Sequence, residues 1–293
     1  MKKTSVCINT AIITLALCIC ASAQSNDIRW QDISKELDGF PFSRAFTDSV
    51  TNLHLGDAAQ RQAAMRKVKP GSFINGETLV YEAGWGPFMA GYFILEARHI
   101  RGRGLIRISA KAMTSNVISA FHIMREHTIS WIDDEGMYPR FFEQHVREGR
   151  DGRKFRLDAY VINDNANDKL YYQRRRMRTF DTPKFTHDYL SIMYYARSMP
   201  LNPGDTFAVD MFTSPKTTPV TMSVRQKKET VQTPAGTFNC VVVDPTFLGD
   251  TKAFNRKSKI EIWVTDDDRK IPVLIKAKAK FGSVQARLIH VGQ

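Results

Sequence analysis

A chain of 293 residues with 42 lysines and arginines against 30 aspartates and glutamates carries a formal net charge of +12. Beyond the first twenty positions its cysteine is Cys240, which excludes an intramolecular disulfide from the mature chain and leaves stability to an ordinary core. About 270 residues suffice for one, because a chain of that size buries roughly 70–75% of its unfolded surface.

The opening residues, MKKTSVCINTAIITLALCICASAQ, set Lys2 and Lys3 before an apolar run that ends in small residues at Ala21 and Ala23. That layout predicts a secretory signal peptide over residues 1–23, cleaved between Ala23 and Gln24. The apolar run is shorter than the about 20 residues a permanent bilayer-spanning helix needs. Cys18 and Cys20 follow the bulky Leu17 and Ile19 rather than small residues, which disfavours lipidation. Loss of Lys2 and Lys3 lowers the net charge from +12 to +10. In an exported protein this excess points away from nucleic acid. It leaves phospholipid headgroups, phosphorylated glycolipids and acidic glycans, or simply a solvated sheet face.

Residues 24–74 contain DISKELDGF and GDAAQRQAAMRKVKPG, rich in helix formers and without alternation; they predict an N-terminal helical segment. From Asn75 the apolar period becomes two. Ile106, Ile108 and Ala110 alternate with Arg107, Ser109 and Lys111, and Val220, Met222 and Val224 with Thr221, Ser223 and Arg225. Successive strand side chains point to opposite faces, so one face should be buried and the other wet, as in an antiparallel sheet. Asp151-Gly152, Pro234-Ala235-Gly236 and Asp266 to Asp268 mark turns between such runs. Turn and alternation signals together predict about nine to eleven strands. Two stretches break the period. SNVISAFHIM (Ser115 to Met124) predicts a short helix capped by Ser115 or Asn116. In THDYLSIMYYARSMP, Thr186 is the expected cap, Tyr189, Ile192, Met193 and Ala196 share one face, and Pro200 ends the helix. The expected fold is mainly β: an antiparallel β-barrel or strongly curved sheet over 75–293, with one or two short packed helices, one of them plugging the sheet.

The order of these blocks resembles the bacterial family known as domain of unknown function 3108. GETLVYEAGWGPFMAG, HTISWIDDEGMYPRFFEQ, HDYLSIMYYARSMPL, TPAGTFNCVVVDP and IEIWVTDDDRKIPVLIKAKAKFGSVQARL carry the resemblance, from about Asn75 to Leu288. It implies an exported, mostly β envelope protein, a likeness to barrel or half-barrel folds that hold amphiphiles, and no catalytic residues to carry over.

The candidate chemistry is sparse. HIMREH places His122 and His127 five apart, whereas a zinc-protease helix needs two histidines four apart on one face. Asp266 to Asp268 could supply oxygen ligands to calcium, or simply cap a turn. Cys240 precedes three valines on a strand and reads as a small buried hydrophobe. GWGPFMAG lacks the strand and helix around it that dinucleotide binding requires; its glycines suit a bent strand or a close approach by the helix. The basic run YYQRRRMR offers Arg174 and Arg176 on one strand face for an anion. Asp188 and Arg197 flank a tyrosine cluster and also suit the helix dipole. The candidate ligand contacts are therefore Trp85, Tyr92, Arg174, Arg176, Asp188, Tyr194 and Arg197, with no metal and no cofactor.

These features predict a non-catalytic exported binding protein of the envelope, periplasmic or associated with the outer membrane. It would hold a lipid, glycolipid or other amphiphilic or anionic molecule within the sheet and touch a membrane peripherally. The alternative is a solid-cored scaffold or assembly factor that binds protein or glycan by its surface; a hydrolase with an unfamiliar site is the third reading. A cavity above about 300 Å³, the lower end of ordinary ligand pockets, favours the binder.

Overall fold

The computed structural model describes residues 66–69, 75–85, 88–150, 155–213, 216–248, 259–279 and 282–292. The signal peptide and nearly all of the expected N-terminal helical segment lie outside the described residues. The first half of the sheet comprises β1 (Glu77–Trp85), β2 (Phe88–Ile100), β3 (Leu105–Thr114), β4 (Ile123–Asp133), β5 (Pro139–Gly149), β6 (Phe155–Asp164), β7 (Lys169–Gln173) and β8 (Met177–Asp181). The second half comprises β9 (Thr206–Phe212), β10 (Thr217–Val224), β11 (Glu229–Thr233), β12 (Gly236–Phe247), β13 (Lys259–Thr265), β14 (Pro272–Ala279) and β15 (Gly282–Gly292). Helix α1 (Asn116–Ser119) follows β3, and α2 (Ser191–Arg197) separates the halves.

All fifteen strands belong to one sheet. Its order is β8-β7-β6-β5-β4-β3-β2-β1-β15-β14-β13-β12-β10-β9, with β11 paired to the side of β12. The ladder pairings between these strands are antiparallel, and the two chain-terminal strands, β1 and β15, lie side by side at its centre. The count exceeds the nine to eleven expected from the sequence. Strands such as β8, with the exposure of nearly every residue, have no buried stripe and so leave no alternation to read.

Where alternation was clear, it marks the concave face: Ile106, Ile108, Val220, Met222 and Val224 are all buried in the core. The expectation of a wet opposite face fails on β3 and β5. Ser109, Lys111, Glu143, His145 and Arg147 point away from the core yet are also buried. Their polar atoms are paired rather than solvated. Ser109 Oγ donates to Glu96 Oε2 at 3.2 Å, and Arg147 Nη2 donates to Asp158 Oδ1 at 2.9 Å. Buried polar groups persist only with such partners.

The sheet is curled but not closed. Among the described residues no ladder joins its edges, β8 and β9; side chains and one segment meet there instead. Phe212 of β9 packs against Tyr172 of β7 and Phe180 of β8, with ring centroids 5.9 and 5.7 Å apart. His187 makes an isolated parallel bridge to Met211, its N–H donating to the Asp210 carbonyl at 2.7 Å and its carbonyl accepting from Phe212 N at 2.9 Å. An exposed β9 edge is thereby covered.

Both helices are shorter than the sequence predicts. Ser115 does cap α1, accepting from Ile118 N, but the chain returns to strand at Ile123. Thr186 does not cap α2: its hydroxyl donates to the Pro183 carbonyl. Asp188 does so in its place, with Oδ1 accepting from Leu190 N and Ser191 N, both at 2.8 Å. The chain reaches α2 only after the His187 bridge is made, which is why the helix begins later. As expected of a plug, α2 lies inside the curl: Leu190 and Tyr194 belong to one core cluster and Ile192 to the next.

Candidate functional site

Between α2 and the concave face of the second half lies a cavity of about 180 Å³. Ile192, Met193 and Ala196 of α2 form one wall, the face the sequence assigns to that helix. Met211, Val220, Met222, Val243, Ile260 and Ile275 form the opposite wall. Small side chains at Ala83, Ala112, Ala277 and Ala286 leave the space. The lining is almost wholly apolar, so the cavity suits a hydrocarbon and offers little to hold a charge. Its volume is below the roughly 300 Å³ at which ordinary ligand pockets begin. It compares with the roughly 150 Å³ apolar cavity known to take one benzene-sized guest.

Arg197 lines the cavity but is not free to receive an anion. Its Nη1 and Nη2 donate to Glu77 Oε1 and Oε2 at 2.7 and 2.9 Å, and Nε and Nη2 donate to the Arg269 carbonyl at 3.2 and 3.0 Å. The guanidinium also stands over the Tyr194 ring at 4.9 Å. Burial pulls its pKa down, and the Glu77 pairing more than offsets that, leaving it raised. Glu77 joins β1 to the helix end this way, a partner 120 positions away in sequence.

A second polar group holds the other end of α2. Tyr189 Oη donates to Glu126 Oε1 at 2.8 Å and lies 2.6 Å from Thr128 Oγ1, while Gln144 Nε2 donates to the same Glu126 oxygen at 2.7 Å. Glu126 is buried, and burial pushes its carboxyl upward despite those donors. Ser130 Oγ donates to Asp188 Oδ2 at 2.6 Å, and burial raises the Asp188 carboxyl in the same way. β4 thus presents Glu126, Thr128 and Ser130 inward, a polar stripe amid apolar neighbours. The sequence marks this stripe only by three polar residues at period two.

The remaining candidates fall in different places. Tyr92 lines the cavity, whereas Tyr194 is fully buried in the core beneath α2. Asp188 caps α2 as described. Arg174, Arg175 and Arg176 form the turn between β7 and β8 rather than part of a strand, so the shared strand face expected for Arg174 and Arg176 does not exist. Arg174 lies over the Phe155 ring at 5.7 Å. Trp85 ends β1, but its side chain lies outside the described residues. His122 and His127 are not on a helix: His122 Nε2 is 3.1 Å from Glu148, and burial together with Arg107 and Lys111 lowers His127 to about 3. Asp267 Oδ1 accepts from the Thr265 hydroxyl, Arg269 N and Lys270 N, which is turn chemistry. Cys240 is fully buried, and burial raises its thiol to about 11. Gly91 of the glycine-rich stretch does permit a close approach, though by a strand: a Cβ there would sit 2.1 Å from the Met113 carbonyl oxygen.

The architecture defines a class: a single antiparallel sheet curled like a barrel around one helix, with its edges joined by side chains. Residues 80–289 match the family described as protein of unknown function (DUF3108), and the chain belongs to that family. Among solved structures, a β-barrel-like protein of the DUF1849 family from Brucella abortus is similar at 11% identity and a TM-score of 0.54, covering 78% of this chain and 98% of its own. A Bacteroides fragilis protein with a YmcC-like fold aligns at 13% identity and a TM-score of 0.31, covering 78% and 100%. The first of these likenesses concerns the fold alone. No curated protein matches the chain.

Proposed function

We propose that this is an exported, non-catalytic binding protein that seats the apolar chain of an amphiphile between α2 and the concave sheet. The observation that carries the reading is the apolar cavity of about 180 Å³, whose one arginine is already neutralised by Glu77. Burial of hydrocarbon is then the available driving force, at about 0.8 kcal/mol per methylene. The volume admits part of one chain, so a headgroup stays at or beyond the mouth. Export rests on the signal-peptide pattern of residues 1–23.

A fluorescent long-chain fatty acid titrated into the protein tests this. Saturable binding is expected, and Ala277→Phe with Ala286→Phe, which fill the space, should abolish it without lowering the melting temperature. A wild-type protein that neither binds the probe nor melts higher in its presence overturns the reading. The small volume favours a second reading, a scaffold whose packed interior serves stability and whose surface binds a protein or glycan. In that case the filled variant retains full function in the cell.

A further inference from the structure

Strand direction sorts the turns to two ends. Pairing of Trp85 with Val284, Gly91 with Thr114, Ile123 with Gly149, Gln173 with Met177, Phe212 with Thr217, Val220 with Phe247 and Ala279 with Gly282 sets the strand ends of seven connections at one end. The cavity approaches this end, where Ala83, Ala112, Phe247, Ile260, Ala277 and Val284 line it. Among the described residues, the large hydrophobic side chains that stand exposed are Met89 (36%), Phe121 (68%), Met177 (57%) and Leu248 (56%). All four fall at this one end, on or beside four different strand connections. Cations stand among them: Arg150, Arg175, Arg176, Lys216 and Lys278 are exposed on the same rim. Glu148, a carboxylate close to it, is engaged by His122. The turns at the opposite end are mixed in charge: Asp134, Glu135, Asp164, Asp168 and Asp266 to Asp268 stand there with Arg101, Arg103, Lys184, Lys227, Lys228, Arg269 and Lys270.

We propose that this rim is a docking surface for an anionic phospholipid bilayer, which presses the mouth of the cavity against the headgroups. Four separated apolar side chains, none adjoining another in sequence, resemble shallow anchors more than the contiguous patch of a protein interface. The interleaved arginines and lysines complement a negative surface, whereas acids and bases stand mixed at the far end, which also lacks exposed large hydrophobic side chains among the described residues. Solvent-facing hydrophobic residues gain burial only if they enter the interfacial layer, which the cations bring within reach.

Sedimentation of the purified protein with vesicles is the test. Binding to phosphatidylglycerol vesicles at low salt is expected, with little binding to phosphatidylcholine and loss of binding in about 0.5 M salt. Charge reversal by R175E with R176E should weaken binding by about tenfold or more, each cation near such a surface contributing about 1 kcal/mol. F121D with M177D should weaken it comparably, while D268K at the far end should not weaken it. All these positions are exposed turns or strand starts, and unchanged melting temperatures confirm that the variants fold. Absence of binding to phosphatidylglycerol vesicles at low salt, or wild-type binding by both rim variants, overturns the proposal. The result is independent of cavity filling, because the rim binds vesicles whether or not a chain enters the interior.

Discussion

Glu77 and Arg197 are buried side chains tied by two charge-assisted hydrogen bonds. Removing one partner strands a charge in the core, so Glu77→Ala should cost about 3–5 kcal/mol in chemical denaturation, whereas Glu77→Leu with Arg197→Met should recover most of it. A loss under about 1 kcal/mol for Glu77→Ala would contradict the pairing. Glu126 gives a pH signature. Its carboxyl is raised from 4.5 by burial, so the folded state holds a proton that the unfolded state has released. Stability contributed by that proton is present below about pH 4.5 and is lost as pH rises through the folded value. Glu126→Gln keeps the acceptor for Tyr189 and cannot ionise. Its melting temperature should gain on wild type between about pH 4 and pH 8; a constant gap would rule out the raised carboxyl. Of these residues the sequence makes Arg197 and Asp188 visible, as charges at the ends of a helix. Their partners Glu77 and Ser130 are not visible, since they lie 120 and 58 positions away and spacing encodes only local neighbours.

At the level of elements, α2 and the β8–β9 seam decide whether the curl holds. The seam lacks a hydrogen-bonded ladder, and the Phe212 ring joins β7, β8 and β9. Phe212→Ala should cost about 3–5 kcal/mol and should raise amide exchange in β7 to β9 before the rest of the sheet. Uniform exchange across the sheet would show that the seam is not a separate weak point. Strands with one apolar face, such as β10, are legible from alternation. Strands β8 and β11 are short and polar and gain their place by pairing to neighbours, a tertiary cause that local pattern cannot carry. The α2 boundary was legible at its Pro200 side and not at its start, because a bridge to β9 holds His187 extended.

Over the whole molecule, one sheet supplies an apolar interior, a cavity beside the plug and one end where exposed apolar side chains stand among cations. The barrel-like curl was legible from period-two runs and turn signals. The cavity was not, since it arises where alanines from β1, β3, β14 and β15 converge on α2, a coincidence of distant small residues. Native mass spectrometry of the protein purified from its host tests the cargo-holding account most directly. A cavity that holds cargo should give a bound mass of an acyl-chain amphiphile in wild type and none in Ala277→Phe with Ala286→Phe. Wild type that emerges bare, even after incubation with bacterial phospholipid, would contradict it.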